Sequence, residues 1–391
     1  MDSIDFKHRT RLVFEAGGLS RLGQLSRELG ASRVLVVSDP GVVAAGHFQR
    51  GLDALTAQHI EVHSFQGVHE NPSTEDVAAC LQVAKEFTPD LLIGLGGGSS
   101  MDCAKGMNFL YSCGGQMEDY WGVGKATSEM LPMIAVPTTA GTGSEAQSFA
   151  LISQAETHVK MACGDPRAAC SVALLDPELT LTQPARVTAL TGIDAVSHAL
   201  ESYVTQRRNP LSVGYSRQAW QLLSSGLPDV LSKPQDIEAR GKVQLGAFFA
   251  GLAIETSMLG AAHALANPLT ARFGITHGQA VGMMLPQVIR FNGEVVGAWY
   301  EELWRDVAHT PLARNCKSSS GSESLARFVH SLVALAGLET ELSRVGVDEM
   351  AIEQLSEDAT RQWTGTFNPR PLNQADFQEL YRRTFAFREA C

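Results

Sequence analysis

Leu91-Leu92-Ile93-Gly94-Leu95-Gly96-Gly97-Gly98-Ser99-Ser100-Met101-Asp102-Cys103-Ala104-Lys105 decides the reading of the fold. Its first five residues form a short apolar run, which reads as a buried strand. The glycines mark a tight turn, and the residues beyond them enter a helical pattern. Glycine lets a backbone approach an anion closely. The free N–H groups and positive dipole end of the following helix then favour a phosphate. The spacing is neither G-x-G-x-x-G nor a Walker A loop. A ligand-free turn is the competing reading, and three consecutive glycines followed by two serines weigh against it.

Outward from this stretch, strands and helices alternate. Residues 33–39, 61–68 and 133–137 read as further strands. Residues 48–57 read as a helix, and so does the segment up to Phe87, opened by Ser73 or Thr74 as a cap. Such alternation predicts a parallel, doubly wound sheet. Two later runs, 158–163 and 171–175, read as a separate antiparallel element. Beyond Asp176-Pro177 strand-like runs stop. The remainder reads as helices broken at Asn209-Pro210, Gly226-Leu227-Pro228, Lys233-Pro234 and Asn267-Pro268. The expected organisation is therefore an α/β domain over residues 1–180 and an all-α domain over 181–391.

Composition narrows the function classes. A chain of 391 residues exceeds one ordinary core. A net charge of −11 without a basic run argues against nucleic acid, though not against a small anion in a local site. Met1 to Asp5 lacks a signal-peptide pattern. The seven scattered cysteines, including Cys391, form no Cys-x-x-Cys pair and read as reduced thiols of a cytoplasmic protein. The apolar segment 246–269 contains Glu255 and His263, and reads as a buried helix pair rather than a membrane span.

The chemistry-bearing residues lie on both sides of residue 180. Asp39 ends a strand, where an acid can accept from a ribose 2′-hydroxyl; a turn-forming Asp before Pro40 is the equal alternative. Pro137-Thr138-Thr139-Ala140-Gly141-Thr142-Gly143-Ser144-Glu145 is a second turn dense in hydroxyls and glycine. In the helical half, Asp194 and His198 stand four apart and share one helix face. His263 lies in another apolar helix, and His277-Gly278 follows a turn. One carboxylate and three imidazoles suit a divalent transition metal, which would supply the charge that makes their burial tolerable. Glu201 can support these ligands but reads better as an exposed helix acid. His8, His47, His59, His63, His69, His309 and His330 read as structural, and His158 receives no role.

These motifs, with Asn368-Pro369-Arg370-Pro371 near the end, resemble the iron-containing (group III) alcohol dehydrogenases over nearly the whole chain. The resemblance implies a dehydroquinate-synthase-like architecture: an α/β domain binding NAD(P), an all-α domain holding the metal, and an active site in the cleft between. It implies Asp194, His198, His263 and His277 as ligands of one Fe²⁺ or Zn²⁺. It implies Gly97, Gly98 and Ser99 as the pyrophosphate cradle, with Asp102, Thr138, Thr139 and Thr142 as further cofactor-site residues. Asn71 and Lys160 fall where the family contacts the cofactor, and Asp39 matches the acid associated with NAD rather than NADP.

One position departs. Many members carry a histidine four residues after the third ligand; here it is Asn267, which cannot titrate near neutrality. The expected reaction is hydride transfer between nicotinamide and a small primary alcohol or aldehyde, in a homodimer or larger assembly. Maleylacetate reductase, hydroxyacid–oxoacid transhydrogenase, a lyase using NAD transiently and a non-catalytic nucleotide binder are the alternatives. Phe149, Met258, Leu259 and Trp363 read as core before pocket, and Arg272 as a surface ion pair.

Overall fold

The structure, a computed structural model, describes residues 7–157 and 159–385. Met1 to Asp5, His158 and Cys391 lie outside the described residues. The chain divides into two compact units. One comprises 1–139 and 144–183, the other 140–143 and 184–391.

The first unit is built on β1 (Arg11–Phe14), β2 (Arg33–Val37), β3 (Glu61–Phe65), β4 (Leu91–Gly96), β5 (Gly122–Val123), β6 (Met133–Pro137), β7 (Phe149–Ser153), β8 (Lys160–Gly164) and β9 (Val172–Leu175). Six of these form one sheet in the order β1-β9-β6-β4-β2-β3, every pair parallel. Its helices are α1 (Leu22–Glu28), α2 (Pro40–Ala44), α3 (His47–Thr56), α4 (Thr74–Phe87) and α5 (Gly98–Cys113). Apolar side chains on the two faces of the sheet feed two separate cores, one around Leu92 and Met101 and one around Ile93 and Leu95. Strands buried on both faces need continuous apolar runs, as β4 and β6 have.

The expected antiparallel element is corrected. β8 does pair antiparallel, but with β7, and β5 adds in parallel on its other side. β9 instead enters the main sheet between β6 and β1. All four of its residues are buried, as an interior parallel strand requires.

The second unit consists of α6 (Ala185–Val204), α7 (Pro210–Ser232), α8 (Ile237–Thr256), α9 (Ala261–Phe273), α10 (His277–Val307), α11 (Gly321–Leu335), α12 (Ile352–Thr360) and α13 (Gln374–Phe385) around one core. Asn209 caps α7 through Leu211 and Ser212 N–H, so the break there is real. The breaks expected at Pro228 and Pro268 do not occur: both prolines lie inside helices. Each removes one backbone donor, and the flanking Leu227 and Leu269 are buried in the helical core. Among the described residues no single helix is long and apolar enough to cross a membrane. α8 and α9, the apolar pair, meet at 104° with their apolar residues in the core.

Candidate metal and cofactor sites

In the α/β unit the chain reverses direction across the sheet between β2 and β4. β2 leads outward to β3, while β4 leads toward β6. Parallel open sheets bind ligands at such switch points, beyond the carboxyl ends of the strands. Asp39 follows β2 there and Gly97 follows β4. Ser100 Oγ donates to Asp39 Oδ2 at 3.0 Å. Asp39 Oδ1 accepts from Val42 N–H and caps α2, so the turn-forming role is realised. Gly96 has φ +157°, and a Cβ there would lie 2.3 Å from Ser100 Oγ and 2.9 Å from Asp39 Oδ2. Only glycine fits. No side chain at Gly97 caps α5, which begins at Gly98.

Around this turn the structure gathers Ser99, Asn71 and Lys160. Asn71 N–H donates to Ser99 Oγ at 3.3 Å, and Lys160 Nζ donates to Asn71 Oδ1 at 3.0 Å. Asn71 holds a positive φ of 54°, which asparagine tolerates better than most residues. Thr138 N–H donates to the Gly96 carbonyl at 2.9 Å, and Thr139 packs against Gly97. Thr142 is half-buried in the short segment that belongs to the helical unit. Asp102 is buried and receives the Ser144 hydroxyl at 2.6 Å, so its carboxylate supports Ser144.

In the helical unit, three elements bring four side chains to one point. α6 supplies Asp194 and His198, α9 supplies His263, and His277 is the first residue of α10. Asp194 Oδ1 faces His198 Nε2 at 3.4 Å, His277 Nε2 at 3.6 Å and His263 Nε2 at 3.7 Å. A common centre with bonds of about 2.1 Å would separate tetrahedral ligands by roughly 3.4 Å. Asp194, His263 and His277 keep their ligand atoms within 4.8 Å of one another. Asp194 Oδ1 and His263 Nε2 are buried and lack a hydrogen-bond partner. A buried carboxylate oxygen that faces three imidazoles without a hydrogen bond is costly, and a cation taking the place of the His263 proton relieves it. The donor set thus fits one divalent metal. The His277 side chain is 30% exposed, which leaves the group one open side.

Burial disfavours charge on Asp194, yet the facing imidazoles of His198, His263 and His277 hold its carboxyl well below the usual range. Burial pushes His198 down, toward the neutral form a metal needs. Burial opposes charge on His263 as well, but the carboxylates of Glu201 and Asp194 outweigh it and raise its pKa to about 9.

Glu201 corrects the expectation of an exposed acid. It is buried; Oε2 accepts from His263 Nδ1 at 2.5 Å and Oε1 from Ala262 N–H at 2.7 Å. Its offset of seven from Asp194 and three from His198 puts it on the same face of α6, a signal present in the sequence. Asn368 has a related task. Its Oδ1 accepts from Ala261 N–H at 3.3 Å and fixes the first turn of α9. Asn267 is half-buried and donates from Nδ2 to Gln362 Oε1 at 2.9 Å. Arg272 pairs with Asp358 at the surface, as read from the sequence, and Met258 is buried. Trp363 is 42% exposed and is not core.

Residues 9–177 match the family described as iron-containing alcohol dehydrogenase, and residues 188–385 match its C-terminal part. The chain belongs to the iron-containing alcohol dehydrogenase family. It is 32% identical over 370 residues to alcohol dehydrogenase 4 of Schizosaccharomyces pombe, covering 95% of this chain and 86% of that protein. It is 30% identical over 376 residues to the NAD-dependent methanol dehydrogenase of Bacillus methanolicus, covering 95% and 97%. The crystal structure of a 1,3-propanediol oxidoreductase superposes with a TM-score of 0.92 at 28% identity, covering 98% of this chain and all of the other. As a member of this family the protein is an oxidoreductase, an NAD-linked alcohol dehydrogenase.

Proposed function

We propose that this iron-containing alcohol dehydrogenase interconverts a small primary alcohol and its aldehyde, with Asp194, His198, His263 and His277 holding one Fe²⁺ or Zn²⁺. The observation that carries the reading is the convergence of three imidazole Nε2 atoms on the buried, unpartnered Oδ1 of Asp194. A divalent metal supplies Lewis-acid polarisation of a substrate oxygen. NAD supplies the hydride acceptor.

The chain's own residues do the rest. Asp194 contributes one negative charge and the three imidazoles none, so the donor set leaves net positive charge for a substrate oxygen. Glu201 holds His263 with Nε2 toward the centre. Gly97, Gly98 and Ser99 offer the amides of an uncapped helix start to a pyrophosphate, with Asp39, Asn71, Lys160, Thr138, Thr139 and Thr142 around the same cofactor. An acid at Asp39 disfavours a 2′-phosphate and hence NADP. Asn267 orients water or substrate through its amide but carries no proton of its own near neutrality. Small alcohols as substrates are supported by relatives named for methanol and 1,3-propanediol. The exposed Phe14 on edge strand β1 supports pairing into a homodimer or larger assembly, and the free thiols Cys80, Cys103, Cys163 and Cys170 a cytoplasmic setting.

Metal analysis of protein purified without oxygen, joined to an NADH assay over a panel of short aldehydes, tests this. Stoichiometric metal and net NADH consumption are expected. Full turnover by a metal-stripped His263→Ala variant would sink the reading.

A further inference from the structure

The helix that carries His263 begins without a cap of its own. α9 starts at Gly260, which has no side chain to offer, and His263 lies in its first turn. Side chains from elsewhere take over. Glu201 Oε1 accepts from Ala262 N–H at 2.7 Å, and Asn368 Oδ1 accepts from Ala261 N–H at 3.3 Å. A Cβ on Gly260 would lie 3.0 Å from Glu201 Oε1 and 3.2 Å from Asn368 Oδ1, so the glycine lets both approach. Glu201 is held by helix α6, but Asn368 lies in a bend outside any helix or strand.

Asn292 supplies the rigid support. It sits on α10, about four turns beyond His277 at the start of the same helix. The two buried carboxamides pair reciprocally. Asn292 Nδ2 donates to Asn368 Oδ1 at 2.9 Å, and Asn368 Nδ2 donates to Asn292 Oδ1 at 2.7 Å. Asn368 Nδ2 also donates to the Arg370 carbonyl at 2.7 Å, so every hydrogen-bonding position of the Asn368 amide is used. Arg370 presses the bend onto the same turn of α10, donating to the Phe291 carbonyl at 3.1 Å with its guanidinium 3.8 Å from the Phe291 ring centre. As mere filling this would be an odd choice, because apolar side chains of the same shape can replace both partners of a buried hydrogen bond at little cost. What the amides add is direction. We propose that Asn292 is a positioning residue of the metal site: it holds the Asn368 carboxamide on the first turn of α9 and so fixes His263 relative to His277 on its own helix, without touching the metal. It rests on the assignment of one metal to Asp194, His198, His263 and His277.

The probe is Co²⁺, exchanged into the protein and titrated against a chromogenic chelator. Its visible ligand-field bands report the ligand geometry, and Tm is measured alongside. Asn292→Leu and Asn368→Leu should each weaken Co²⁺ about tenfold, one buried hydrogen bond's worth, and each should shift the bands. The double variant should lose no more affinity than Asn368→Leu alone, because Asn292 acts through Asn368. Asn292→Ser, the milder change, carries the same expectation where the leucine variants do not fold. Wild-type affinity and bands in a folded variant at position 292, whatever its Tm, would reduce the amide pair to a fold element and overturn the proposal. Losses that simply add in the double variant would overturn it as well. Absence of Co²⁺ binding by the wild type would instead bring down the metal assignment, and this inference with it.

Discussion

His263 Nδ1 donates to Glu201 Oε2 at 2.5 Å, and both side chains are buried. In the neutral ring the bond fixes the His263 tautomer, because an imidazole that donates from Nδ1 presents a lone pair at Nε2. Such outer carboxylates typically carry 10–100-fold of a site's metal affinity. Glu201→Gln is therefore expected to weaken the metal by about that factor, read by competition with a chromogenic chelator. Unchanged affinity in a folded variant would mean that helix packing alone orients the ring.

Gly278 shows a second form of control, by close approach. A Cβ there would lie 2.2 Å from the Leu190 carbonyl oxygen, on the turn of α6 just before Asp194. The start of α10, and with it His277, rests directly on the backbone that presents Asp194. Gly278→Ala must push α10 away. A destabilisation of about 1–3 kcal/mol, the usual cost of overpacking, is expected. Metal content after dialysis should fall with it, and a variant that keeps both would show that α10 can shift freely.

How much of this was legible in the sequence depends on whether the signal was local. The switch from an apolar run to glycines to a helical pattern announces β4 and α5 within fifteen residues. The Asp194–His198 spacing announces a helix face. β9 was not legible in the same way: a four-residue apolar run can join either sheet, and its place beside β6 follows from long-range pairing alone. Pro228 and Pro268 look like helix ends by local rules, which packing overrides. Glu201 was readable from its offset to His198, but its burial is set by α9, which packs on it from sixty residues away.

Asn267 lies one helical turn beyond His263 and is engaged with Gln362. With no imidazole there, the wild-type kcat profile should lack an inflection from this position. Asn267→His introduces a group titrating at roughly 6.5 in an unperturbed setting. A new limb in the kcat–pH profile is the expected result, measured with one alcohol across pH 5 to 9. Superimposable profiles would place residue 267 outside the path of the proton.

Glu145 gives the fold a pH dependence of its own. Burial pushes its carboxyl up to about 7, against the partial relief of a backbone hydrogen bond and the Lys105 charge. Asp102, buried beside the same lysine, is also raised, by desolvation. The sign follows from the protons bound. A carboxyl with a raised folded pKa is neutral in both states below the unfolded value of 4.5, and there it costs nothing. Between pH 4.5 and about 7 the unfolded chain has released this proton while the folded chain keeps it in a dry site, so stability falls across that window and levels off above about 7. The shift corresponds to something on the order of 3 kcal/mol between the two limits. Other groups titrate over the same window, so the comparison is with Glu145→Gln, which is neutral throughout. Denaturant unfolding of both proteins from pH 4.5 to 8.5 should show the wild type losing stability relative to the variant as pH rises. A difference that stays flat would mean that Lys105 holds Glu145 ionised across the whole range.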